Sequence, residues 1–94
     1  MNKPLDFQRV EAVRKHMLLS QADMAHLLSV SRMTYYSWVG GKSLRKVNDE
    51  KVRSLLKKLL LAATHGWPMP EVHAMTAPDR LRRLKEVLEQ SSKQ

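Results

Sequence analysis

The chain has 94 residues, enough for one domain with a small, marginal core and too few for an elaborate catalytic scaffold. Seventeen Lys and Arg against nine Asp and Glu leave a net charge of +8, and a pI near 10.2 suits a polyanionic partner, nucleic acid first. The absence of cysteine excludes a disulfide framework, a thiolate metal site and a cysteine nucleophile.

Low Gly and Pro with ample Leu, Ala, Lys and Arg favour helices, and capping residues mark where they start. Asp6 caps a first helix, with Leu5 stapled to Val10 and with Phe7, Val10, Val13 and Met17 at near-helical spacing; its end is expected near Leu18. Ser20 caps a second, closing a capping-box variant with Asp23, while Leu19 faces Met24 and Leu27 and Leu28 complete the buried face. Only Ser29 and Val30 separate it from Ser31, the cap of a third helix whose staple is Val30 on Tyr35, and Gly40 and Gly41 end that helix. A basic loop, Lys42 to Val47, leads to Asn48 as a fourth cap with Val47 on Val52. Val52, Leu55, Leu56, Leu59 and Ala63 form the inner stripe of the fourth helix, and Gly66 stops it. Trp67-Pro68-Met69-Pro70 reads as a connector, because Pro disfavours helical geometry before it and donates no amide hydrogen. Thr76, with Pro78 and Asp79 in the first turn, starts a fifth helix carrying Leu81, Leu84 and Leu88; Ser91 to Gln94 are expected to fray.

The pattern gives an all-α, five-helix fold, with residues 1–66 as the main unit and 67–94 as a connector and terminal helix of the same domain. Leu59 to Ala63, the longest uncharged apolar run, is far short of a membrane span, and Met1 to Asp6 has no apolar stretch resembling a signal peptide. A soluble cytoplasmic protein is expected, with no membrane partner. His16, His26, His65 and His73 lack metal-ligand spacing, and no nucleophile elbow or paired carboxylates stand out. No metal, cofactor or enzymatic activity is therefore expected.

Two short helices joined across Ser29-Val30 in a basic all-helical chain make a candidate helix-turn-helix, whose second helix would enter the DNA major groove. Ala25 supplies the small side chain for a close helix crossing, and Val30, Tyr35 and Trp38 supply apolar anchors. Leu19-Ser20-Gln21 through Ala25, then Val30-Ser31-Arg32-Met33-Thr34, Trp38 and Gly41-Lys42, resemble the lambda-repressor-like (Cro/C1, XRE) helix-turn-helix family over about residues 6–65. Two positions depart from the usual pattern: Ser29 replaces a common glycine, and Tyr35 stands where a branched aliphatic is more usual.

With Tyr35 and Trp38 inward, helical spacing turns Met33, Tyr36, Ser37 and Gly40 outward and leaves Arg32 at the exposed amino-terminal edge. Arg32 has the chemistry for paired hydrogen bonds to guanine, Met33 and Tyr36 for a thymine methyl, and Ser37 for several base edges; the resemblance points to the same positions. Phosphate contacts are expected from Gln21, as in the matching family position, and from Gly40, Lys42, Ser43, Arg45 and Lys46, where the family commonly meets the DNA backbone. Arg32 to Lys58 holds eight basic and two acidic residues, net +6. Leu61, opposite the inner stripe, and the seam Leu81, Leu84 and Leu88 suggest dimerisation, which would place two recognition helices about 34 Å apart; the alternative is that the seam folds back on its own monomer.

The expected function is a sequence-specific transcriptional regulator, a repressor binding a palindromic operator on double-stranded DNA as a homodimer. The resemblance implies a bacterial, plasmid or phage setting. Two rivals remain open. One is an antitoxin-type module whose terminal third, Trp67 to Gln90, holds a protein partner while the helix-turn-helix autoregulates. The other is a phage packaging or recombination accessory factor that binds DNA without an operator.

Overall fold

The computed structural model describes residues 4–92, with side-chain environments for 4–90, so Met1 to Lys3 and Lys93 and Gln94 lie outside it. Its helices are α1 (Phe7–His16), α2 (Gln21–Leu28), α3 (Arg32–Val39), α4 (Lys46–Thr64) and α5 (Ala77–Ser92), with a 3-10 turn at Pro70–Ala74 inside the connector. The fold is all-helical, as expected. Of the stretch expected to fray, Ser91 and Ser92 continue α5, and the last two residues are among those not described.

Local side-chain chemistry sets the first three starts. Gln8 N–H donates to Asp6 Oδ1 (3.0 Å), and Asp23 N–H donates to Ser20 Oγ while Ser20 N–H donates to Asp23 Oδ2 (both 2.9 Å). Thr34 N–H donates to Ser31 Oγ at 3.0 Å. Each cap satisfies amides that have no partner inside the helix.

The first four helices share one way of stopping: a residue in the left-handed region, with one amide reaching five residues back and its neighbour three. After α2 these are Val30 N–H to Ala25 O (3.0 Å) and Ser29 N–H to His26 O (3.1 Å). Leu19 and Leu18 do the same after α1, Lys42 and Gly41 after α3, and Trp67 and Gly66 after α4. This closure satisfies the orphan carbonyls at a helix end. Gly41 (φ 107°) and Gly66 (φ 99°) enter it freely, whereas Leu18 (φ 61°) and Ser29 (φ 58°) do so against the steric preference of a residue with a Cβ.

The fourth start differs from the sequence expectation. α4 begins at Lys46, with Arg45 as an extended N-cap residue that makes no side-chain cap bond; Asn48 lies inside the first turn. The basic loop therefore ends at Arg45, and Val47, 59% exposed, is not stapled onto Val52. Leu44 packs against the core and anchors this entry, and Asp49 supplies the first-turn carboxylate, accepting from Arg53 Nε. The buried stripe is Val52, Leu55, Leu59 and Ala62, with Leu56 and Ala63 at its margins.

One apolar cluster unites α1–α4 with the terminal third: Val10, Met24, Tyr35 and Leu59 share it with Trp67, Val72 and Leu84. Trp67 Nε1–H donates to Met17 O at 2.9 Å, fixing the connector to the end of α1. Arg80 reaches back from α5 to the 3-10 turn, with Nε on Val72 O (3.0 Å) and Nη2 on Met75 O (2.9 Å). α5 is thereby held on α4 as part of the same core. Leu84 is fully buried in the core and Leu81 and Leu88, part-buried, pack beside it, the arrangement of the alternative in which the seam folds back on its own chain. Leu61 alone of the four expected dimer residues is exposed.

Candidate nucleic-acid interface

The turn between α2 and α3 has a left-handed Ser29, then Val30, then Ser31 as an extended cap. Ala25 is buried at the crossing, and Tyr35 and Trp38 hold the inner side of α3. Phe7 packs edge-on to both rings, at centroid distances of 5.4 Å to Tyr35 and 6.1 Å to Trp38. This aromatic triad sets the roll of α3. At about 100° per residue, Val39, Arg32, Tyr36, Gly40, Met33 and Ser37 then follow one another round roughly 160° of circumference facing away from it. Met33 is 76% exposed and Tyr36 43%. Arg32 is exposed, and no described residue forms an ion pair with it.

Ser37 is half-buried and donates its hydroxyl hydrogen to Thr34 O at 2.6 Å, which leaves the oxygen as an acceptor. Val39, exposed at the far end of the same arc, was not among the expected contacts. Its position on the arc was the available signal. An apolar side chain there adds to Met33 a second surface able to cover a thymine methyl.

Beyond α3, Lys42, Ser43, Arg45 and Lys46 are all exposed, and no described carboxylate pairs with the three cations. Gly40 lies beside these cations, with its N–H committed to Tyr36 O (3.0 Å). A helix ending in the closure described above turns its last amides inward.

Gln21 has a structural bond that spacing within one helix does not reveal. Its Nε2 donates to Glu11 Oε1 at 2.7 Å. The same carboxylate accepts from Tyr35 Oη (2.8 Å), Arg14 Nε (2.8 Å) and Arg14 Nη2 (3.0 Å), while Arg14 Nη1 donates to Leu19 O (2.8 Å). Glu11 thus joins α1, α2 and α3 through side chains that are largely buried, 15% exposed at Glu11 and 12% at Arg14. Burial by itself would push the Glu11 pKa up. The hydrogen bonds from Arg14, Gln21 and Tyr35 and the Arg14 charge outweigh it and hold the carboxyl below its ordinary range. The Tyr35 phenol moves up, through burial first and then the neighbouring Glu11 carboxylate. Tyr35 is therefore the α3 end of this node, and a buried phenol needing an acceptor was the sequence signal for it.

Among the described residues no group of His, Asp or Glu gathers with metal-binding geometry, and no helix is long and apolar enough to cross a membrane. No family model, curated protein or solved structure matches the chain.

Proposed function

We propose that the protein is a sequence-specific double-stranded DNA-binding regulator of the lambda-repressor-like helix-turn-helix kind, acting as a repressor at a palindromic operator. The observation that carries this reading is the outer arc of α3, where Arg32, Met33 and Tyr36 stand exposed beside Lys42, Arg45 and Lys46, cations that no described carboxylate pairs. A recognition helix needs that combination: base-reading groups on a convex ridge, and positive charge along its flanks for phosphates. Arg32 would read guanine, Met33, Val39 and the Tyr36 ring would cover thymine methyls, and the Ser37 oxygen would accept from a base amino group. The loop cations, with Ser43, would hold the phosphate backbone, assisted by the second amide hydrogen of Gln21. A homodimer would bring two such ridges to successive major grooves about 34 Å apart, with Leu61 of α4 as the exposed apolar group available to the contact.

Selection from random duplex DNA tests the whole reading, the expected product being a palindromic consensus with half-sites one helical turn apart. Arg32→Ala should relax preference at one base step, losing about 1–3 kcal/mol of discrimination there. Lys46→Ala should weaken binding to all duplexes alike and lower the salt slope by about 1. Recovery of no consensus, or full base preference in Arg32→Ala, would defeat the assignment.

A further inference from the structure

We infer that the groove between the start of α1 and the middle of α4 is a docking site for an acidic amphipathic helix of another protein. Its volume is about 550 Å³, and its apolar floor is Leu5, Val13, Leu56 and Leu60. Leu60 stands 48% exposed although α4 buries its opposite stripe, so the described residues leave this flank of the helix partly open. No lining residue comes from α2, α3 or the turn between them. The site is thus distinct from the proposed DNA ridge, and the inference does not depend on that proposal.

Charge chooses the occupant. Arg9 and Lys57 border the floor, both exposed, and no described carboxylate pairs with either. Arg53 adds a third cation, bound through Nε to Asp49. The acidic group at the edge, Asp6, is the cap of α1 and accepts from Gln8 N–H. An apolar trough with a basic border matches a helix whose Leu or Phe side chains recur at i, i+3, i+4 and i+7 between rows of Asp and Glu. A second copy meeting this groove across a two-fold axis would bring the same cations against themselves. DNA would find hydrocarbon on the floor where its phosphates need donors.

The test uses the full chain and two synthetic helical peptides of about 18 residues with one shared apolar face, flanked by Glu and Asp in one and by Lys and Arg in the other. Fluorescence anisotropy should give at least tenfold tighter binding of the acidic peptide. Its amide shift changes should centre on Val13, Leu56, Lys57 and Leu60. Leu60→Asp, and separately the pair Arg9→Glu with Lys57→Glu, should each weaken it tenfold or more while circular dichroism shows the fold retained. Duplex DNA should not displace it. Four results would overturn the inference: no binding, equal affinity for both peptides, shifts confined to α3 and the Lys42–Lys46 loop with displacement by duplex DNA, or a homodimer that Leu60→Asp dissolves.

Discussion

Glu11 accepts four hydrogen bonds from three residues of three helices, a density that a single carboxylate sustains only when ionised. Glu11→Gln removes the charge and leaves the Arg14 guanidinium without its counter-ion in a mostly buried seat. Loss of a fully buried ion-pair partner costs about 3–5 kcal/mol; with some solvent reaching this pair, the expected loss is about 2 kcal/mol. In a domain of this size that is a fall in Tm of roughly 8–16 °C, readable by thermal circular dichroism. The sign of the pH dependence follows from the lowered pKa. The stabilisation is complete above the ordinary carboxylate value, near 4.5, and is lost as pH falls through the lower folded value. Denaturant titrations across pH 5 to 3 should show wild-type stability falling more steeply than that of Glu11→Gln; parallel curves would remove Glu11 from this role. Such a node is hard to read from sequence because its members lie 3, 10 and 24 positions from Glu11. Each looks ordinary alone, and only the fold brings them together.

Among the elements, the caps at Asp6, Ser20 with Asp23, and Ser31 were legible because they act within three residues, a range at which neighbouring residue types determine the bond. The start of α4 was not, because Arg45 caps without its side chain and Asn48, a strong N-cap type, lies two positions inside the true start. The outer arc of α3 was legible from the inward roll of its two rings. The commitment of the Gly40 amide was not, since it depends on how the chain leaves the helix. Ser29 offers a test of the shared closure. It is exposed and left-handed, so Ser29→Gly relieves backbone strain without removing a packed group, at some cost in unfolded-chain entropy. The expected net gain is up to about 1 kcal/mol, or a rise in Tm of roughly 4–8 °C at most. Leu18→Gly at the equivalent place after α1 should lower Tm instead, because that side chain packs on the core. A fall in both variants would count against the strain argument.

For the molecule as a whole, the division expected near residue 66 marks a change of direction and not of core, since Trp67, Val72 and Leu84 share one cluster with Val10 and Leu59. Leucines at helical spacing on α5 show an apolar face in the sequence; whether a partner or the same chain covers it depends on the path of the connector. Leu84→Ala should cost about 2–5 kcal/mol by opening a cavity beneath α5. A chain cut after Gly66 should lose cooperative thermal unfolding and expose core to a hydrophobic dye, whereas a sharp melt near that of the full chain would make the terminal third an independent appendage.

The three-helix clasp at Glu11 also bears on the thermodynamics of any encounter with α3. A ridge held by a carboxylate beneath it and three interlocking rings behind it is set before a ligand arrives, so its ordering entropy has already been spent in folding. If the proposed DNA binding holds, calorimetry of the chain with a duplex recovered by selection should therefore give a heat-capacity change accounted for by the contact area alone, without the larger negative increment of a segment that folds as it binds.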